Sequence, residues 1–361
     1  MSTEAKRGTG NETMNAPTGP KTERGFSARR MRKPAAAVLL VSALAFLFLV
    51  IGRSARVPSP TTAEALKGTI SLSGAWALYP MAVRWAEEFR KAHPGVRIDI
   101  QAGGAGKGIA DALSGMVDIG MVSRDLHPQE TARGAFALAV TKDAVVPTIS
   151  GRNPFLKDLL RRGVKKSEFE AIFITGRARS WNDVLANGAK ADIHVFTRSD
   201  ACGAAETWAA FFRKKQEDLL GIAVYGDPGL ADAVIRDPLA VGYNNINFAY
   251  DPATLKPVNG LVVIPVDGNG NGCVDAEEDF FGGRNEIIAA IERGAYPSPP
   301  ARELYFVTKG RPSRPVVRRF LAWILKEGQK FVREAGYIPL ASDTIESRRT
   351  LIGNRVLERD S

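Results

Sequence analysis

At 361 residues the chain is long enough for two cores, and 45% hydrophobic with 24% charged residues is ordinary for a globular protein. The net charge of +10 does not argue for a nucleic-acid partner. Ten Lys/Arg against four acidic residues lie up to Leu66, whereas from Lys67 onward the balance is 39 to 35, with no basic stripe interleaved with stacking aromatics.

The surplus belongs to a leader. Residues 1–33 are rich in Gly, Thr, Pro and Asn, read as disordered, and end in a cationic cluster (Arg24, Arg29, Arg30, Arg32, Lys33). Residues 34–52 form an uncharged apolar run just long enough to span a bilayer. The cationic flank before it places everything after it outside the cytoplasm. Arg53 and Arg56 stand where a cleavage site would want small residues, so the run reads as a retained anchor rather than a cleaved signal. Residues 53–66 make a Pro/Ser/Thr-containing linker.

Strands and helices then alternate. Residues 69–73 predict a strand, 79–93 an amphipathic helix, 96–102 a strand, and 103–108 a small-residue turn before a helix over 109–115. A buried strand follows at 117–122 and a strand-rich run at 136–148. The rhythm repeats: helical pattern over 155–172, a strand at 193–196, a helix at 207–215, a short helix at 229–236 and a strand at 240–243. A strand at 261–266, a helix at 285–293, a strand at 303–308 and a long helix at 315–335 complete it, before a polar tail over 342–361. Alternation of this kind predicts an α/β fold of mainly parallel sheets with flanking helices.

The stretch FTRSDACGAAETWAAF, residues 196–211, carries the strongest functional signal. A strand delivers Arg198, Ser199 and Asp200 to a small-residue turn, and a helix begins after it. The free N–H groups and the dipole of a helix start favour an anion, and Arg adds a planar two-point grip. The alternative is an Arg198–Asp200 surface pair beside an ordinary helix cap. Three further turns stand at strand ends, at residues 73–78, 103–108 and 123–124, so four loops would converge on one oxyanion. The 103–108 turn lacks the Gly-Lys-Ser/Thr ending of a P-loop.

Residues 267–278 (DGNGNGCVDAEE) fit a calcium loop. Asp267, Asn269 and Asn271 would give side-chain oxygens, Cys273 its carbonyl, Asp275 a direct or water-mediated contact, and Glu278 two oxygens. A strand before and a helix after make this a structural calcium site without a full helix-loop-helix hand. Cys202 and Cys273 read as free, buried small residues, and three scattered His with no CxxC argue against zinc. No nucleophile–base pair stands in a recognisable context, so an enzyme is not expected; Glu206 reads as a first-turn dipole partner.

The segment beginning GTISLSGAWALYPMAVRW, the RSDACGAAETW segment, AVGYNN and GYIPL together resemble the phosphate-binding subunit of ABC transporters, in order and over nearly the whole exported part. The resemblance implies a bilobed type II periplasmic-binding-protein fold, with 67–146 and 306–361 as lobe I, 147–305 as lobe II, and two sheets joined by hinge strands. It implies an extracytoplasmic monomer that captures phosphate for an ABC permease; the other reading is a tethered module for another oxyanion such as sulfate, without transport. Matched position by position, the ligand would meet the Leu78 backbone, the Gly106 N–H, the Ser123 hydroxyl, Arg198 as the clamp with Asp200 orienting it, and the N–H groups of Gly203 and Ala204. The family usually places hydroxyls where this chain has Leu78, Gly106, Cys202 and Ala204. Its acidic acceptor after the Asp-Ile-Gly strand is replaced by Ser123-Arg124.

Overall fold

The computed structural model describes residues 66–188 and 190–353. The predicted leader and apolar run at 1–33 and 34–52 lie outside them. Among the described residues no helix is long and apolar enough to cross a membrane.

Eleven strands are labelled in chain order: β1 Gly68–Gly74, β2 Val96–Ala102, β3 Ile119–Val122, β4 Ala135–Ser150, β5 Val164–Lys165, β6 His194–Arg198, β7 Ile222–Val224, β8 Ala240–Asn245, β9 Leu261–Val263, β10 Val266–Asp267 and β11 Ala301–Lys309. Nine form one continuous sheet in the order β2-β1-β3-β11-β4-β8-β6-β7, with β9 paired to β4. The predicted parallel character holds at each end: β1 runs parallel to β2 and β3, and β6 parallel to β7 and β8. The middle is antiparallel, because β11 pairs with β3 and β4, and β4 with β8 and β9.

β4 and β11 divide the molecule. The sixteen-residue β4 pairs with β11 along Ala135–Ala144 and with β8 along Val145–Ile149. Its first half belongs to one hydrophobic core with Ile70, Leu72, Trp85, Phe306 and Phe320. Its second half belongs to another, with Phe169, Trp181, Trp208, Tyr243 and Ile288. Two lobes therefore share a two-stranded hinge, lobe I built from both ends of the described chain and lobe II from its middle. The helix Tyr79–Ala92 shows why the sequence packs this way. Met81, Ala82, Trp85, Ala86 and Phe89 fall on one face and are the residues it buries.

Four predicted elements come out differently. The strand expected over 261–266 is two, β9 paired with β4 and β10 paired with β5. The single helix expected over 315–335 breaks after Ile324, where Lys326 leaves helical geometry and a 3-10 turn, Glu327–Phe331, follows. Gly328 lies there against the Trp85 and Trp323 rings and accepts a hydrogen bond from Trp85 Nε1 at 2.9 Å. The pattern over 155–172 is two helices, Leu156–Arg162 and Lys166–Phe173, divided at Gly163, whose φ of 71° is left-handed. Part of the polar tail is a helix, Ser342–Ile352.

Candidate anion site between the lobes

The strand-end turns of lobe I are stitched together by their backbones. The Gly74 carbonyl, where β1 ends, accepts from the N–H groups of Gly103 and Gly104 at 2.8 and 3.1 Å, and the Ala75 N–H donates to Met121 of β3 at 2.8 Å. Gly74 has φ 130°, and a Cβ there would run into the Met121 carbonyl and the Gly108 backbone. Only glycine lets these three turns meet.

Lobe II presents the end of β6. Arg198 is buried, its side chain wholly without solvent contact. Asp200 takes it in a two-point grip, Nε to Oδ1 at 2.8 Å and Nη2 to Oδ2 at 2.6 Å. Its remaining terminal nitrogen, Nη1, donates to Asp227 Oδ2 at 2.6 Å. Burial opposes the charge, but the carboxylates of Asp227 and Asp200 hold the guanidinium's pKa above its usual range, so Arg198 is permanently cationic. The helix Gly203–Phe211 starts beside it. Its cap is Cys202, whose sulfur accepts the Ala205 N–H at 3.4 Å and so does at this helix start what a hydroxyl would do. Burial pushes this thiol up to about 12, so it stays neutral. Of the two cysteines expected to be buried only Cys202 is; Cys273, in the polar loop, is exposed.

The lobes touch through these elements. The Gly106 N–H donates to the Ala201 carbonyl at 3.1 Å, and Gly104 faces Asp200 and Ala201 closely enough that a Cβ would collide. Gly203 lies against Ser123, where any side chain would strike the Ser123 carbonyl and hydroxyl. Arg124 Nε reaches Glu206 Oε2 at 2.8 Å while its terminal nitrogens hold Glu130 at 2.9 and 2.7 Å. His127 Nε2 meets Glu206 Oε1 at 3.2 Å. Glu206, read from the sequence as a dipole partner, is thus also the lobe II half of an ion bridge across the cleft.

Of the sequence-predicted residues, Gly106, Ser123, Arg198, Asp200 and Gly203 come together at this junction, with Ala204 next to Gly203 in the same helix turn. In this arrangement the Gly106 N–H is directed at a protein carbonyl. Leu78 is buried in the turn after β1, and its N–H donates to Ala75 at 3.1 Å. Sequence reasoning missed Asp227, which starts the helix Gly226–Arg236, and missed a buried pair in the hinge. Arg302 of β11 donates to the Gly203 carbonyl at 2.6 Å, to Thr207 at 2.8 Å and to the Asn245 side chain. It lies 3.7 Å from the fully buried carboxylate of Asp143 in β4. Burial pushes Asp143 up to about 7 despite the Arg302 charge, and burial lowers the pKa of Arg302. The Asn245 N–H in turn donates to Asp227 at 3.2 Å, so the hinge pair is joined to the Arg198 clamp.

The predicted calcium loop is a tight turn following β10. Asp267 is buried, its two oxygens accepting from Gly270 and Gly272 at 2.6 and 2.8 Å. Glu278 folds back onto the Gly268 and Asn269 N–H groups at 2.9 and 3.1 Å, and Asp275 accepts from Asn269 and Asn271 at 2.8 and 2.9 Å. Among the described residues no three His, Cys, Asp or Glu side chains gather closely enough to hold a metal in this arrangement. The oxygen donors face the loop's own N–H groups instead.

The chain belongs to the PBP superfamily: the model of the PBP superfamily domain matches residues 59–327. The phosphate-binding protein PstS of Bacillus subtilis is 26% identical over 280 residues, which span 77% of this chain and 82% of that protein. PstS of Pseudomonas aeruginosa PAO1 is 27% identical over 341 residues, spanning 85% and 96%. Among solved structures, a phosphate ABC transporter substrate-binding protein of Clostridium perfringens with bound phosphate shares the fold. Its TM-score is 0.62 at 23% identity, over 76% of this chain and 100% of that one. An ABC-type phosphate transport receptor from Vibrio cholerae gives a TM-score of 0.55 at 18% identity, over 75% and 100%. The family read from the sequence motifs is borne out.

Proposed function

We propose that this PBP-superfamily chain is an extracytoplasmic solute-binding protein that captures phosphate between its lobes and delivers it to an ABC permease. The observation that carries this is Arg198: a fully buried cation at a strand end, beside a helix start, at the point where the loops of both lobes meet. A buried guanidinium there supplies charge, and the first-turn N–H groups of Gly203 and Ala204 supply donors. The two-stranded hinge allows the lobes to part and close, and a ligand held by both lobes shifts that equilibrium toward closure. Names of relatives that bind phosphate support the same ligand. Retention by the apolar run at 34–52 belongs to the proposal, and release of the protein from membranes by alkaline carbonate would remove it.

Calorimetric titration of the full-length chain with phosphate and sulfate tests the reading. Phosphate gives saturable heat, and Arg198→Ala loses at least about a hundredfold in affinity, as expected when a buried charged partner of a ligand is removed. An Arg198→Ala chain that binds phosphate unchanged would place the ligand elsewhere.

Calcium in the 267–278 loop is a second part of the proposal. Asp267, Asn269, Asn271, the Cys273 carbonyl, Asp275 and Glu278 are an all-oxygen set suited to that ion. Its contribution would be to pin the loop in lobe II.

A further inference from the structure

The guanidinium of Arg302 is bonded to the start of a lobe II helix rather than to the carboxylate nearest it. Arg302 stands on β11 opposite Asp143 of β4, beside the point where β4 passes from β11 to β8. Arginine in contact with a carboxylate frequently grips it with two parallel bonds. Here Asp143 lies 3.7 Å away, beyond hydrogen-bond reach. Nη1 donates instead to the Gly203 carbonyl at 2.6 Å and to Thr207 Oγ1 at 2.8 Å, and Nη2 to the Asn245 side chain. The side chain is only 7% exposed, and its Nε has no hydrogen-bond partner among the described residues. A cation taken this far out of water is held at a cost, and the hydrogen bonds that offset it all run to lobe II.

Gly203 is the first residue of the helix Gly203–Phe211. Of the N–H groups at this helix start, that of Cys202 goes to the Gln216 side chain and that of Ala205 to the Cys202 sulfur. Those of Gly203 and Ala204 take no partner among the described residues. A trans peptide is planar, with its C=O and N–H pointing in opposite directions. Fixing the Gly203 carbonyl therefore fixes the direction of the Ala204 N–H, and a cation polarising that carbonyl makes the N–H a stronger donor. Asn245, the other partner of Arg302, donates its own N–H to Asp227, which holds Arg198. We propose that Arg302 is a positioning residue of the anion site, acting through the Gly203–Ala204 peptide, so that a hinge strand aims a donor at the ligand. This rests on the proposed function and deepens it, because Arg302 itself makes no contact with the anion.

The test titrates full-length Arg302→Ala with phosphate by calorimetry, beside the wild type. Loss of an aimed, polarised donor weakens phosphate about ten- to a hundredfold. Arg302 lines two clefts, of about 450 and 530 Å³, so the space left by truncation is open to small solutes. Guanidinium at tens of millimolar, far below the molar range that unfolds proteins, restores most of the lost affinity, and sodium at the same ionic strength restores none. A loss caused by destabilisation alone would not be repaired by a denaturant. Arg302→Ala binding phosphate like the wild type, or a loss that guanidinium leaves untouched or that sodium repairs equally, overturns the inference. Should Arg302→Ala not fold, Thr207→Val decides, since it removes one of the two Nη1 acceptors: phosphate weakens severalfold, and unchanged affinity overturns the inference. No phosphate heat from the wild type removes the proposed function as well; wild-type heat with an unaffected Arg302→Ala removes this inference alone.

Discussion

Replacing Glu206 by Gln separates closure from ligand contact. Glu206 lies in the first turn of the helix that heads the proposed anion site, and its carboxylate joins Arg124 at 2.8 Å and His127 at 3.2 Å across the cleft. Arg124 is only 10% exposed and Glu206 30%, so the bridge is better than a surface pair but not a dry one. Arg124 keeps Glu130 in the variant, so no buried charge is left alone. What is lost is one charge-assisted bond made only when the lobes meet, about 1–2 kcal/mol. The closed state becomes about five- to thirtyfold less populated relative to the open one. Phosphate affinity should weaken by that factor, mostly through faster release. Stopped-flow fluorescence can follow it, because Trp76 of lobe I packs edge-on to Tyr225 of lobe II at 6.4 Å. If Arg124→Gln and Glu206→Gln each weaken binding and the double variant shows the sum of both effects, the two residues are not coupled and the latch is refuted.

Two further outcomes follow from buried or pinned carboxylates. Asp143 has its pKa raised in the fold to about 7, so the native state holds a proton that the unfolded chain releases near pH 4. Stability should fall as pH rises from about 4 to about 7 and level off above; thermal melts of Asp143→Asn should lose much of that slope, and an unchanged slope would assign it elsewhere. Millimolar calcium should raise the melting temperature and EDTA lower it, with about 2.7 kcal/mol gained at a hundredfold excess over the dissociation constant. Glu278→Gln should abolish most of the difference; equal melts with and without calcium in the wild type would discard the metal.

The parts legible in the sequence were those written locally. Arg198, Asp200 and the helix start after them lie within a few residues, and the strand-to-turn rhythm declares the α/β fold. Asp227 was not legible, because it stands 29 residues from Arg198 and looks like any acidic residue opening a helix. Asp143 and Arg302 are single charges flanked by strand residues, and only the pairing of β4 with β11, which sets Arg302 opposite Asp143, brings them together. The Gly106 N–H shows the opposite failure. It was expected to face the ligand, and its partner here is the Ala201 carbonyl of the other lobe, a relation fixed by how far the lobes close rather than by local sequence.

The two-stranded hinge also fixes the order in which the molecule can be completed. Apart from Ile338, lobe II draws its core from one unbroken stretch of chain and can bury most of it as soon as that stretch is available. Lobe I cannot: Val122 of β3 waits for Tyr305 of β11, and Phe89 waits for Phe320. Joining such distant segments carries the loop-closure cost, and the intervening lobe lowers it by bringing β4 and β11 side by side once it has folded. A chain truncated before β11 should therefore keep the aromatic cluster around Trp208 while leaving Trp85 in water. The contacts between the lobes around Arg198 therefore come into being only once β11 is in place.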